Sequence, residues 1–437
     1  MSENQPVKTD TGSSPVSLNR KKKLNMNGNK SARTVKAMRA VKTVFLIVTA
    51  VAAIFYTVKG IVQVNNVDAA KDYYLKGEAV FTRVTQALEE EYEDETVCPV
   101  EFMSADGVHT LTVNYTYEEW EALPTGAEVT GYIYTAHNDV DLCFDHEATA
   151  GDIKAALKDV NADNASAVFG TAMALSLICI ALAVITVFGR MFTAYEQIWF
   201  ISIMILAAVI SIAFPEEDCN GVNGLVIMAL YLADTFLNIL CELLISKQSK
   251  WNFIVSVFVE LTEIAICIVL AYRFATLAST LFFWLPCDII SFINWHKHPD
   301  KVEEELTEVR TLKGWQEVAI IAGIVVWTVG VGWLLTTINV DSDFFKNNDA
   351  LRIAVCYLDA CASAVGIVNG VFILLRLREQ WIAWYICALL EAVINIISGQ
   401  FVLLVLKVGY ITNTTYGYIK WTKYIKQNAR TKNEALK

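Results

Sequence analysis

The chain has 437 residues, 55% of them hydrophobic, a formal net charge of −11 and a mean hydropathy of +0.41. That composition excludes an ordinary soluble globular protein. It also argues against a nucleic-acid partner, since basic and acidic residues sit in separate blocks and the balance is acidic. No Gly-x4-Gly-Lys-Ser/Thr phosphate loop occurs, which argues against direct ATP drive, and no cofactor is called for.

Residues 1–36 are polar and low in aromatics, and read as a disordered basic cytoplasmic tail. An apolar run near 42–64 makes 37–64 the first transmembrane helix. It is too long for a signal peptide, and no small-residue cleavage pattern follows it. Residues 65–165 read as a small extracytoplasmic α+β domain. A helical stretch over 68–95 comes first, then alternating strand-like segments over 100–117 and 127–144 with turns at "ADG" and "PTGA", then a helical "TAGDIKAALKDV". The domain shows no metal cluster, catalytic triad or phosphate loop. Cys98 and Cys143 flank its strand-like part, and their pairing stays open at this level.

Nine further apolar runs, each about 20 residues as a bilayer crossing requires, lie near 166–189, 197–214, 223–246, 252–273, 275–295, 314–338, 350–375, 380–398 and 401–421. The expected fold is therefore an all-α polytopic membrane protein of about ten transmembrane helices plus the α+β domain. Lysines and arginines before the first run place the N-terminus in the cytoplasm. Alternation then puts "GRMF", "SKQSK", "RLRE" and the tail 426–437 inside, and the acidic "FPEEDCNGVN" outside, as in a multi-pass plasma-membrane protein.

The last seven runs contain an internal repeat. "SKWNF" and "EQWIAW" open the fifth and ninth runs, with Trp251 and Trp381 separated by 130 positions. "FINWHKH" and "YIKWTKY" close the sixth and tenth, with Trp295 and Trp421 separated by 126. Two three-helix units joined by one linking helix give a 3+1+3 parallel repeat, an architecture of transporters with a substrate site between the units.

Ionisable groups inside a bilayer are costly unless they face a cavity or a partner, and here they form stripes. Trp381, Trp384, Glu391 and Asn395 share one face of the ninth run. Asp234, Asn238 and Glu242 share a face of the fourth. The fifth carries Glu260 and Glu263, the sixth Trp284 and Asp288, the eighth Asp359, Ser363 and Asn369, and the tenth Lys407, Tyr410 and Asn413. One reading is helix–helix adhesion, including a Lys407–Glu391 pair. The other is a polar cavity whose aromatic faces suit flat rings, including cationic ones, and whose carboxylates and amides suit hydroxyls or amides.

The C-terminal segment 358–421 also resembles the PnuC vitamin transporters, typified by nicotinamide riboside carriers. The shared residues are Asp359, "RLRE", Trp381 and Trp384, Gly399, and Gly417, Tyr418 and Trp421. "WLPCDIISFINWHKH" is similar to the end of that family's first half, with Pro286 and Trp295 matching. The resemblance covers about 223–425 and leaves out 166–222 and everything before. It implies a SWEET-like seven-helix core, facilitated diffusion of a vitamin or nucleoside followed by cytoplasmic phosphorylation, a homotrimer, and contact of the Trp381–Trp384 pair with the substrate ring. The chain departs from the pattern at Ala388, Asn395, Lys407, Asp288 and Ser291, which allows another vitamin such as thiamine. The resulting expectation is a non-enzymatic carrier with Trp381, Trp384, Glu391, Asn395, Asp288, Asp359, Asn369, Lys407 and Tyr410 lining the substrate path. A receptor whose extracytoplasmic domain binds a ligand is the alternative. An intramembrane enzyme using Glu260 and Glu263 is disfavoured by the lack of a metal set or nucleophile pattern.

Overall fold

In the computed structural model the described residues are 15–84, 98–124, 126–136, 140–246, 251–297, 312–338, 348–374 and 379–435. They fall into two units, Phe55–Phe169 and Met1–Ile54 with Gly170–Lys437.

The smaller unit is built on a five-stranded antiparallel sheet: β1 (Tyr74–Arg83), β2 (Cys98–Ser104), β3 (Thr110–Tyr115), β4 (Glu128–Thr135) and β5 (Leu142–Phe144), in the order β3-β2-β1-β4-β5. The β2–β3 hairpin turns at Asp106 and Gly107, whose φ of 70° favours glycine. Phe81, Phe102, Leu111 and Ile133 form the core of the sheet's inner face. A one-turn helix, α2 (Tyr117–Glu121), is set by a Thr116–Glu119 capping box.

Two sequence expectations change here. The stretch 74–83 is strand, not helix. Phe81 and Arg83 point inward while Val80 and Thr82 are exposed, and this period of two outweighs the helix-forming residues that follow. Residues 85–97, the rest of the expected helix, lie outside the described residues. Cys98 and Cys143 do not pair. They sit on β2 and β5 with two strands between them, a span of about 14 Å at the usual strand spacing, beyond disulfide reach. Burial, reinforced by the Asp141 charge, pushes the Cys143 thiol up to about 11, so it is protonated and unreactive at neutral pH.

Asp141 ties three segments together. It accepts hydrogen bonds from Lys76 of β1 at 2.8 Å and contacts His109 Nε2 at 3.0 Å. These bonds, that from Lys76 foremost, hold its carboxyl well below the usual carboxylate range. A depressed folded value means the stabilisation is complete above the unfolded Asp value of 3.8 and is lost as pH falls below it. We expect amide protection on β1 and β5 to weaken below about pH 4. In Asp141→Asn the protection should be lower at neutral pH and lose that dependence. Hydrogen-exchange mass spectrometry corrected for the intrinsic rate checks both.

In the larger unit α1 (Pro15–Asn65) begins inside the stretch expected to be disordered, because Lys, Arg, Ala and Met continue the helix backward from its apolar part. Next come α3 (Ala150–Val187), α4 (Ala194–Ala213), α5 (Gly224–Ser246) and α6 (Trp251–Val269). α4 starts at a Thr193–Glu196 capping box. α6 ends where Ala271 and Arg273 take the left-handed conformation, at φ 48° and 56°. A broken helix follows: α7 (Phe274–Ser279), a π-helical turn (Thr280–Trp284) and α8 (Leu285–Lys297). The turn lies directly before Pro286, which has no N–H to donate, and the Leu285 N–H reaches back five residues to Thr280 O. The last helices are α9 (Gly314–Thr337), α10 (Asp349–Leu374), α11 (Gln380–Ile397) and α12 (Phe401–Ala435).

Eight helices among the described residues are long and apolar enough to cross a membrane. The other two expected runs correspond to α7–α8, which is short and broken, and to α12, whose Lys407, Asn413 and Thr414 lower its hydropathy. Phe200, Met204, Tyr231, Ile239, Ile394 and Leu406 are fully buried and join α4, α5, α11 and α12. α5 and α12 approach closely at Gly409, where a Cβ would stand 2.4 Å from Ile239 Cδ1.

Candidate binding site in the helical unit

Seven carboxylates lie inside the core helices: Asp234 and Glu242 on α5, Glu260 and Glu263 on α6, Asp288 on α8, Asp359 on α10 and Glu391 on α11. Among the described residues the cations that join them are Arg273 and Lys407.

Arg273 occupies the break between α6 and α7 and is 6% exposed. Its Nη2 lies 3.1 Å from Glu391 Oε1 and 4.0 Å from Glu263 Oε1, and its Nε lies 3.6 Å from Asp359 Oδ1. Asp359 is fully buried. It accepts the Ala275 N–H at 2.9 Å, the Thr276 N–H at 3.3 Å and the Thr276 hydroxyl, so α10 caps the first turn of α7. Glu391 also takes Lys407 Nζ at 2.5 Å, and the same ammonium stands 4.9 Å from the centre of the Tyr410 ring.

The Tyr410 ring is 5.6 Å from that of Trp384, inclined at 57°. Trp384 Nε1 donates to the carbonyl of Asn369 at 3.1 Å, and the Asn369 amide donates to Gln380 O at 2.9 Å, with the amide oriented to satisfy both. The Tyr410 hydroxyl donates to Asn238 Oδ1, and Asn413 donates to Glu242 Oε2 at 2.6 Å. Asn395 is one turn beyond Glu391 on the same face. It is fully buried, and neither side-chain amide atom has a hydrogen-bond partner among the described residues.

The structure thus brings together Trp384, Asn369, Tyr410, Lys407, Glu391 and Asp359, with Asn395 adjacent along α11. Two expected site residues stand apart. Trp381 is 9% exposed and packs against α12, where a Cβ on Gly417 would lie 2.4 Å from its Cη2. Asp288 lies on α8 beside Ser256 and within the field of Glu260. We expect Gly417→Ala to displace the Trp381 ring at a cost of about 1–3 kcal/mol. Thermal unfolding in detergent should show the loss, and adding Trp381→Leu should recover part of it.

Arg273 is the participant that sequence reasoning missed, because it stands at the very end of the expected run 252–273, next to the start of the following one. Its signal was the imbalance of seven internal carboxylates against one internal lysine.

The family model described as nicotinamide mononucleotide transporter matches residues 228–423. The chain is 26% identical over 250 residues to the nicotinamide riboside transporter PnuC of Neisseria mucosa, covering 54% of this chain and 84% of the relative. It is 26% identical over 192 residues to the protein of the same name from Haemophilus influenzae, covering 43% and 77%. A crystal structure of the vitamin B3 transporter PnuC aligns with a TM-score of 0.41 at 22% identity, covering 54% of this chain and 94% of that one.

Proposed function

We infer, on the premise that residues 228–423 form a transport core of the PnuC family in a multi-pass membrane protein, that the chain carries a ring-bearing vitamin or nucleoside of the nicotinamide riboside kind. The observation that carries this reading is the Trp384–Tyr410 aromatic pair, with the Asn369, Lys407 and Glu391 side chains around it. Flat rings stack on such faces, and the buried amide of Asn395, unpartnered among the described residues, is available to an amide or hydroxyl of the solute. Glu391 and Lys407 neutralise each other, so they contribute polarity with little net charge.

In this reading α5 to α8 and α10 to α12 are the two three-helix units and α9 is the link, within ten spans. Both termini are cytoplasmic, and the α+β unit lies outside. One pair of positions supports the repeat: Trp251 at the start of α6 and Trp381 at the start of α11 are 130 apart. Transport is facilitated diffusion through a path between the units, and the trimer implied by the resemblance is the assembly we propose.

Purified protein should be stabilised against heat by nicotinamide riboside or by another member of a panel including thiamine and nucleosides. Stabilisation by no member would contradict the reading.

A further inference from the structure

The seven carboxylates inside the helical unit are not used alike. Asp234 accepts the Thr262 hydroxyl at 2.7 Å, Glu242 the Asn413 amide at 2.6 Å and Glu263 the Thr280 hydroxyl at 3.1 Å. Asp359 and Glu391 hold Arg273, and Glu391 also holds Lys407. Glu260 of α6 and Asp288 of α8 differ from these five. They are 7% and 9% exposed, and each keeps one carboxylate oxygen, Oε2 of Glu260 and Oδ2 of Asp288, with no hydrogen-bond partner among the described residues. Among the described residues no lysine or arginine lies within 4.0 Å of either. Helix adhesion does not account for these two oxygens, because it works through bonds that they do not make.

The two carboxylates stand in each other's field, with Ser256 of α6 beside Asp288. Like charges brought together inside a bilayer favour the approach of a positive charge. Among the described residues no three of His, Cys, Asp and Glu are grouped so as to hold a metal ion. The cation that fits is a diffuse organic one, which needs no closed shell of ligands.

Asp234 connects this pair to the aromatic site. It lies in the field of Glu260 and of Lys407, and one turn before Asn238, which accepts the Tyr410 hydroxyl. The Trp251–Trp381 register matches Glu260 to Leu390, the neighbour of Glu391, so in the proposed repeat the two glutamates stand at one depth. Their charge balance is opposite. Arg273 and Lys407 offset Asp359 and Glu391, whereas Asp234, Glu260 and Asp288 have no such offset among the described residues.

We propose that Glu260 and Asp288, with Asp234, are the specificity-determining counter-ions of the transport site. They select solutes whose ring carries a positive charge, such as a pyridinium or thiazolium, over neutral rings of the same shape. Trp384 and Tyr410 accept a flat ring, and the carboxylates read its charge. This rests on the carrier reading and narrows it, because neutral nucleosides become poor substrates. The carboxylates select charge and supply no driving force, so transport remains facilitated diffusion.

The test measures binding to the full chain in detergent with two pairs of nearly isosteric probes. Nicotinamide riboside is a cation and its dihydro form is neutral; thiamine is a cation and 3-deazathiamine is neutral. In at least one pair, wild type should bind the cation about 30- to 100-fold more tightly than its neutral partner, the size of one charge interaction across about 6–8 Å of partly screened interior. Glu260→Gln and Asp288→Asn should each cut that ratio about 3- to 10-fold, since the carboxylates share the charge. Glu260→Asp and Asp288→Glu should keep most of it. A purely structural role would lower both affinities together and leave the ratio unchanged. Equal binding of cation and neutral partner by wild type overturns the proposal without any variant and leaves the carrier intact. An unchanged ratio in either folded neutralised variant also overturns it. Binding of no probe counts against the carrier reading, and this proposal falls with it.

Discussion

Arg273→Met should destabilise the helical unit by about 3–5 kcal/mol, the usual cost of leaving a buried charge without its partner. The substitution strands Asp359, which is fully buried, and removes one of two cations from Glu391. The two carboxylates should respond differently to rescue. Asp359 keeps its bonds to the α7 backbone but has no other cation among the described residues, so Arg273→Met with Asp359→Asn should recover much of the loss. Glu391 keeps Lys407, so Glu391→Gln should recover little. Fluorescence-detected thermal unfolding in detergent measures all three. An Arg273→Met protein as stable as wild type would refute the network as a structural element.

Trp384→Ala should weaken solute binding by about 1–3 kcal/mol, the range for removing an aromatic stacking platform, or about 5- to 150-fold in Kd. The protein should still reach the membrane, because the substitution leaves the Arg273 network and the α7 cap in place. Trp384→Phe separates two contributions. It retains a ring opposite Tyr410 and loses the Nε1 bond to Asn369, so it should lie between wild type and alanine. Equal binding by wild type and Trp384→Ala would remove this residue from the site.

Much of the helical unit was legible in the sequence because its signals are local. Apolar runs mark helices, and polar residues four apart mark a face. Glu391 and Asn395 on α11, and Asp234 and Asn238 on α5, share faces as that spacing requires. The Lys407–Glu391 pair, raised from sequence as the adhesive alternative, is present at 2.5 Å. The reading failed where geometry is not local. The break after α6 uses Ala271 and Arg273 at positive φ, where glycine would have given a signal. Asp359 caps a helix more than eighty residues earlier in the chain, a role that no motif records. The tilted contact of Trp384 with Tyr410 depends on how α11 crosses α12. Trp381, one turn from Trp384, faces Gly417 instead. In the smaller unit, β1 was hidden because a charged, helix-favouring stretch follows its ten residues directly.

Solute counterflow in proteoliposomes tests the central claim most directly. With unlabelled nicotinamide riboside inside, wild-type protein should draw in labelled nicotinamide riboside, or a competing vitamin or nucleoside, along a saturable curve, and Trp384→Ala should raise the half-saturating concentration by about 5- to 150-fold at matched protein content. Counterflow by wild type with none of these solutes, or undiminished counterflow by Trp384→Ala, would contradict the account.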